Sequence, residues 1–239
     1  MSTNLSAGMD SRAIALENAQ FMSRVYAWMT SGILVTFAIA YGVNFVPELA
    51  HVGHQYPIIL IGLFVAQLGA VIYLSTAIKT MRATTAMATY LVYAGLVGLT
   101  FSVIFQAYTD DSIASVFLMT ACCFGGLSAF GYVTKRDLGP VGSFCTMGLF
   151  GIIGFWIVSI FFPSMRADGF LQQGISIFGV LIFAGLTAYD TQKIKALNVI
   201  GNTGTEEDTK EAIFGALTLY LDFINLFLFL LRLFGRRRN

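Results

Sequence analysis

The sequence predicts an all-α membrane protein: a bundle of seven transmembrane helices, with the carboxyl-terminal helix central and enclosed by the other six. Composition is the first reason, because 56% of the 239 residues are hydrophobic, 11% are charged, and the mean hydropathy is +0.75. The second reason is a series of uncharged runs, each long enough for the roughly 20 helical residues that cross a bilayer core of ~30 Å. Because these runs are continuously apolar, helices are favoured over barrel strands, which alternate in segments of about ten residues.

Seven such runs divide nearly the whole chain and leave no room for a soluble domain. The predicted spans cover residues 25–46, 57–78, 83–109, 112–134, 138–165, 169–194 and 211–234. Residues 1–24 form a polar tail that lacks the apolar core and cleavage site of a secretory signal, so the first span is expected to stay as an anchor. Residues 25–234 are therefore expected to form a single integral membrane domain, followed by a basic tail over 235–239.

The positions of lysine and arginine predict a cytoplasmic amino terminus, because cytoplasmic loops carry an excess of both residues. With that orientation the inner segments hold Arg12, Arg24, Lys79, Arg82, Lys135, Arg136, Lys193, Lys195 and Lys210. The outer loops between spans hold only Arg166. This asymmetry favours an integral protein of a bacterial inner membrane with its amino terminus inside.

The carboxyl-terminal tail breaks this charge pattern. Seven full crossings place Arg232 and the arginines at 236–238 outside. Either the last helix inserts late, so that packing rather than charge fixes its position, or the last segment is re-entrant or half-spanning. We favour seven crossings and leave the side of the tail open. The arginines suit contact with anionic lipid headgroups, and no basic cluster indicates a nucleic-acid partner.

A single acid, Asp222, interrupts the apolar stretch of residues 212–231 in the last span. Steps of four and three residues place Thr218 and Asn225 on the same helical face, while the flanking faces are Leu, Phe and Ile. A carboxylate at bilayer depth costs several kcal/mol even on lenient scales, so it normally faces the protein interior and marks an ion or proton site. We therefore expect a polar stripe that points at other helices or at a water-filled cavity.

A second acid, Asp190, lies near the inner end of the sixth span, close to Thr187. Counted along the helices, its depth need not match that of Asp222, so the two meet only if the bundle dips inward at Asp190. Two carboxylates in one low-dielectric site cannot both ionise cheaply, so one holds a proton. Their oxygens also suit Ca²⁺, which takes six to eight oxygen ligands. The sequence therefore predicts a proton-sensing site at Asp190 and Asp222 whose oxygens also suit calcium.

Two cations at the inner end of the second span, Lys79 and Arg82, could latch onto the acid pair when it is ionised. Their simpler role is to anchor the helix at the inner surface, and this role is favoured because every inner loop carries such residues. Elsewhere in the spans, Gly148, Gly151 and Gly154 form a small-residue ladder that predicts close helix packing.

The segments GLTAYDTQKI at 185–194 and GALTLYLDFINLF at 215–227 resemble the signature of the Bax inhibitor-1 family. The short amino-terminal tail is similar to the bacterial, YccA-like branch. The resemblance implies two layers of three helices around a central last helix, and a pH-sensitive calcium leak whose diacid sensor is Asp190 and Asp222. Family members also carry a latch arginine inside the second helix. Here that span contains no charge, so only Lys79 and Arg82 at its end match the role.

Several functions remain open at this stage. The first is a calcium leak channel with calcium and protons as its ions and no cofactor; a proton-coupled antiporter fits the same acid pair. The alternative is a non-conducting regulator of a membrane-bound AAA protease or a stress-response complex, which the resemblance also implies. No HExxH, GxSxG or Walker motif is present, so we expect no enzyme. An aspartyl intramembrane protease would also pair two buried acids, but its usual sequence context is absent.

Overall fold

The chain is mostly helical in the parts that the computed structural model describes, which are residues 2–46 and 57–238. Side chains are described for 11–46, 58–165 and 168–238. The helices are α1 (Ser2–Val43), α2 (Pro57–Ala77), α3 (Ala83–Ala107), α4 (Asp110–Val133), α5 (Gly139–Phe161), α6 (Pro163–Ala167), α7 (Gly169–Leu197) and α8 (Glu206–Phe234). Seven of them, all except α6, are long and apolar enough to cross a membrane, which confirms the predicted helical class and the number of spans.

The helix ends differ from the predicted spans where polar residues are good helix formers. Helix α1 begins at Ser2, so the predicted amino-terminal tail continues the first span as one helix. Helix α8 likewise begins at Glu206, before the apolar run, with three acidic residues in its first turn. The fifth span is shorter than 138–165, because α5 ends at Phe161 and Pro163 opens α6. Proline lacks the N–H that a continuing helix would need.

The chain forms two compact units. The first comprises Met1–Ile104 with Ile194–Tyr220, and the second comprises Phe105–Lys193 with Leu221–Asn239. In the first unit, buried Tyr220 lies edge-on to Tyr90 and Tyr93, with ring centroids 6.1 and 5.8 Å away. Its hydroxyl is 2.6 Å from that of Thr36, which in turn donates to the carbonyl of Ala94. This network gives hydrogen-bond partners to the buried hydroxyls of Thr36 in α1 and Tyr220 in α8, and it joins α1 to α3 through the carbonyl of Ala94.

Aromatic rings form much of the core of the second unit around the second half of α8. Phe223 lies edge-on to Phe117 and Phe124, each with a centroid distance of 5.5 Å, and Phe117 also contacts Phe227 at 6.3 Å. Such pairs add about 0.5–1.5 kcal/mol each beyond the area they bury. These contacts pack α4 against the stretch of α8 that carries Asp222.

Close helix contact in the second unit depends on particular glycines. A Cβ at Gly131 in α4 would collide with the backbone carbonyl of Ala188 in α7, and a Cβ at Gly148 in α5 would lie 2.6 Å from Ile182. The ladder prediction was wrong for Gly151 and Gly154, which have open space beside them among the described residues. Helix α4 therefore packs closely against α7 two residues before Asp190.

The carboxyl-terminal tail is bound to the turn between α3 and α4. Arg236 accepts a backbone hydrogen bond from Thr109 at 3.1 Å, and the backbone N–H of Arg238 donates to Ala107 at 2.9 Å. The Arg238 guanidinium also pairs with Asp110 at 3.3 Å. Helix α8 has 29 residues, or ~43 Å at 1.5 Å per residue, which argues against a half-spanning segment. The tail thus lies at one end of the second unit. The distribution of Lys and Arg in the sequence predicts that this end is on the outer side of the membrane.

Candidate functional site

Asp222 occupies an apolar position in α8, where only 4% of the residue is exposed. Its neighbours along the helix are the buried Phe223 and Ile224. The thiol of Cys145 on α5 is close enough for an electrostatic interaction with the Asp222 carboxylate. One carboxylate oxygen, Oδ2, is buried without a hydrogen-bond partner among the described residues. Because burying an unpaired charge is costly, this carboxyl needs either a proton or a cation.

The structure brings the side chains of Asp190 and Asp222 close enough for their carboxyl groups to interact directly. Asp190 itself is only partly buried. Asp190 precedes the end of α7 by seven residues, whereas Asp222 follows the start of α8 by sixteen, so their depths along the helices differ by ~14 Å. The eight-residue connection at 198–205 is long enough to allow this stagger, since extended chain spans up to ~3.3 Å per residue. The two acids therefore lie next to each other, although their positions counted along the two helices did not predict a common depth.

A hydrogen bond between two carboxyl groups needs a proton, because ionised carboxylates can only accept. Asp190 and Asp222 can therefore share a hydrogen bond only while the pair holds at least one proton. When that proton leaves, two negative charges face each other in apolar surroundings, and the site then favours a cation or water. The arrangement can exchange protons for a cation.

Helix α4 is joined to α7 beside the acid pair through Ser128, which sequence reasoning did not identify. The Thr191 hydroxyl donates to the carbonyl of Thr187 at 2.7 Å, so its oxygen accepts from the Ser128 hydroxyl at 2.8 Å. All three side chains are buried. Since Thr191 directly follows Asp190, this contact holds α7 against α4 next to the acid.

Gln192 connects α7 to the loop between α4 and α5. Its Nε2 donates to the carbonyl of Arg136 at 2.8 Å, and its Oε1 accepts from the backbone N–H of Leu138 at 2.9 Å. The neighbouring Lys193 lies 5.8 Å from the ring of Tyr189 and exerts an attractive charge on Asp190. Lys193 is therefore a cation of the second unit that acts on the pair. In the sequence, Lys193 was noted only as one of the inner-segment cations and as part of the 185–194 segment.

The predicted supporting side chains bond mainly to their own helices. The hydroxyls of Thr187 and Thr218 donate to the carbonyls four residues earlier at 2.7 and 3.1 Å. The Asn225 amide does the same at 2.8 Å. These groups belong to the polar stripe, but each of the three donor bonds runs along its own helix and none of them reaches an acid.

The predicted latch residues belong to the first unit. The backbone carbonyl of Lys79 accepts a hydrogen bond from Lys210 Nζ at 3.3 Å. The Lys79 side chain lines a cavity of about 480 Å³ together with Glu207, Lys210 and Glu211. Arg82 is exposed. The latch therefore stays a prediction.

A resident calcium site would need more ligands than the pair provides. Two carboxylates offer at most four oxygens, whereas Ca²⁺ takes six to eight. Across the described residues there is no cluster of three or more His, Cys, Asp or Glu side chains suited to a metal. Asp190 and Asp222 fit a cation that passes or binds transiently with its water, rather than one that is held in a closed cage.

The family model described as inhibitor of apoptosis-promoting Bax1 matches residues 18–239. The chain belongs to this family, the Bax inhibitor-1 family. It is 46% identical over 222 residues to inner membrane protein YbhL of Escherichia coli strain K12, covering 91% of this chain and 92% of the relative. An uncharacterized protein of Borreliella burgdorferi is 39% identical over 230 residues, covering 96% and 97%. An uncharacterized membrane protein of Streptococcus pyogenes is 32% identical over 219 residues, covering 91% and 93%.

This Bax inhibitor-1 family member is an integral membrane protein, with seven membrane-length helices in its structure. Its structure also contains a part-buried ion pair at Arg24, which sequence reasoning counted only among the cations of the inner segments. Arg24 of α1 bonds Asp208 of α8 at 2.8 Å, and Asp208 is 1% exposed. The backbone N–H of Gly204 donates to the other Asp208 oxygen at 2.8 Å. The pair fixes the start of α8 in the first unit.

Proposed function

We propose that this Bax inhibitor-1 family protein is a pH-sensitive calcium leak of a bacterial inner membrane, gated by Asp190 and Asp222. The observation that carries the proposal is the close placement of two carboxyl groups on neighbouring helices, one of them almost fully buried. Intramembrane acids of this kind mark ion or proton pathways by default. The inner-membrane assignment follows from the name of the Escherichia coli relative.

The gating step is an exchange of protons for a cation at the pair. With a proton present, the carboxyl–carboxyl hydrogen bond ties α7 to α8. With both acids ionised, two charges ~4 Å apart repel by about 4 kcal/mol at an effective dielectric constant of 20, so the tie is lost and a cation is attracted. Protons and Ca²⁺ thus compete for the same oxygens, and the leak is expected to fall as the solution is acidified.

The proposal includes the finer architecture and orientation. Helix α8 is taken as the central helix, enclosed by the other six, because 72% of its most apolar 18-residue stretch is buried, against 6–39% for the other spans. The amino terminus is taken as cytoplasmic because of the excess of Lys and Arg in the inner segments. Cysteine accessibility from each side of inverted and right-side-out vesicles tests this, with residues 12 and 236 expected on opposite sides.

The leak is tested with purified protein in liposomes that contain a trapped calcium dye, from pH 6 to pH 8. The variants are Asp190→Asn, Asp222→Asn and both together, with exposed Asp111→Asn as the matched control for loss of one acid. The wild type and the control are expected to show faster uptake at pH 8 than at pH 6, and the pair variants a flat profile. Uptake in the double variant that matches wild type at every pH would remove the pair from the mechanism. Faster uptake at pH 6 that still needs the pair would contradict competition between protons and calcium.

A regulator of a membrane-bound AAA protease or stress complex is the second candidate. It is favoured by Ile14 and Leu16, exposed apolar side chains on the polar amino-terminal part of α1. Substituting both with serine should weaken the response of a co-reconstituted AAA protease while calcium uptake is unchanged. Deleting residues 1–18 is a poorer test, because Glu17 and Asn18 bond the loop that leads to α8. An unchanged protease response in the serine variant would speak against this surface.

A further inference from the structure

A cavity of about 530 Å³ lies in the second unit, between the start of α7 and the end of α8. It is lined by Tyr108, Trp156, Gly169, Gln172, Gln173, Ser176, Arg232, Leu233 and Arg237. Two of these residues are arginines and none is an acid. The cavity is thus a positively charged space that also offers amide and hydroxyl groups, and it is distinct from the acid pair.

Arg232 is an exposed residue at the wall of this cavity, and its guanidinium lies against two aromatic rings. Its central carbon lies 4.8 Å from the ring centroid of Trp156 and 5.7 Å from that of Phe229. Cation–π contacts of this kind orient the planar group and leave its edge N–H donors free to meet another partner. The charge of Arg237 acts against that of Arg232. An anion placed between the two guanidinium groups would relieve this repulsion.

The second arginine is placed by the fold rather than by a loose tail. Arg237 pairs with Tyr108 in an antiparallel backbone bridge, and directly opposed residues in such a pair present their side chains on the same face. The backbone N–H of Arg236 donates to the Ser112 hydroxyl at 2.8 Å, which strengthens the attachment on one side of the bridge. Tyr108 and Arg237 are therefore brought together at the cavity wall.

We propose that this cavity binds a phosphate-bearing anion. Guanidinium groups recognise phosphate through paired, charge-assisted hydrogen bonds, and the Tyr108 hydroxyl and the amides of Gln172 and Gln173 supply further donors. The volume exceeds what a bare carboxylate needs. The cavity lies where two spans begin and end, at the level where phospholipid headgroups meet protein. Its ligand is either the headgroup of an anionic phospholipid or a free phosphate.

Binding can be followed through Trp156, because it contacts Arg232 directly. The protein has two tryptophans, so Trp28→Phe leaves Trp156 as the single fluorescent indole. Dihexanoyl phosphatidylglycerol and inorganic phosphate are titrated separately into the protein in neutral detergent at fixed ionic strength. Dihexanoylglycerol, the same lipid without phosphate, is the ligand control.

The variants are Arg232→Gln and Arg237→Gln, with Arg236→Gln as the matched control that removes the same charge from a neighbour outside the cavity wall. Each cavity variant is expected to weaken binding about tenfold, and Arg236→Gln by no more than about twofold. Tighter binding of the lipid would identify the headgroup as the source, and tighter binding of inorganic phosphate would identify a free ion. Because Arg237 is exposed on the tail, Arg237→Gln is expected to fold normally. It therefore keeps the test valid if Arg232→Gln does not fold.

The proposal is overturned if neither phosphate compound gives a saturable response. It is equally overturned if dihexanoylglycerol binds as well as the phosphate-bearing lipid, or if Arg236→Gln weakens binding as much as Arg237→Gln does. The Asp190→Asn/Asp222→Asn variant is expected to bind the phosphate compounds with unchanged affinity. The binding test of the cavity is therefore independent of the test of the calcium leak.

Discussion

Breaking the Arg24–Asp208 ion pair should destabilise the protein measurably. Asp208 is 1% exposed and accepts from Arg24 at 2.8 Å, so Arg24→Met leaves a buried carboxylate with one backbone donor, the N–H of Gly204. Removing one partner of a fully buried pair typically costs 3–5 kcal/mol. Because the Arg24 side chain is 34% exposed, water reduces this cost, and we expect about 2–3 kcal/mol.

The expected loss is a fall of roughly 4–12 °C in Tm, since 1 kcal/mol shifts a chain of this size by about 2–4 °C. The assay is thermal unfolding in detergent of wild type, Arg24→Met, Asp208→Asn and the double variant. Because the double variant buries no unpaired charge, it should be about 2 kcal/mol more stable than the sum of the two single effects. Additive effects, or an Arg24→Met variant within 0.5 kcal/mol of wild type, would refute this reasoning.

Three further substitutions test the helix and loop contacts of the second unit. Gly131→Ala should cost about 2–3 kcal/mol and also alter calcium uptake, because its Cβ would push the Ala188 carbonyl and α7 away. Gly151→Ala, which has open space, should unfold within 0.5 kcal/mol of wild type, and equal Tm values for the two variants would contradict the contact. Gln192→Ala removes two hydrogen bonds to the α4–α5 loop and should lower stability by about 1–2 kcal/mol. An unchanged unfolding curve would show that the loop does not depend on it.

Hydropathy predicts the seven spans well because backbone polar groups in lipid must form hydrogen bonds within their own segment, as they do in a helix. Each apolar run therefore indicates a helix without information from the rest of the chain. The helix ends are harder to predict, because polar residues before 25 and at 206–210 form helix without any apolar signal. Asp222 was found because a charge in an apolar run is conspicuous. Its contact with Asp190 depends on helix stagger, which no local pattern encodes.

The supporting polar contacts were beyond sequence reasoning for a related reason. Ser128 and Thr191 are separated by 63 positions, and Arg24 and Asp208 by 184. Serine is common in membrane helices, and arginine at a span end has an ordinary anchoring role. Only the packing of segments that are distant in sequence distinguishes Ser128 and Arg24 from other serines and arginines at comparable positions in the spans.

The unequal burial of the helices should set how freely each can vary in sequence. In α2, 6% of the most apolar stretch is buried, so lipid is its main neighbour and one aliphatic side chain there can replace another. In α8 the share is 72%, and each side chain must fit a space of fixed shape. A saturation mutagenesis scan should therefore find α2 constrained by hydrophobicity alone and α8 constrained by exact side-chain size. Random drift would then alter the lipid-facing helix first, while the helix that carries Asp222 keeps its sequence.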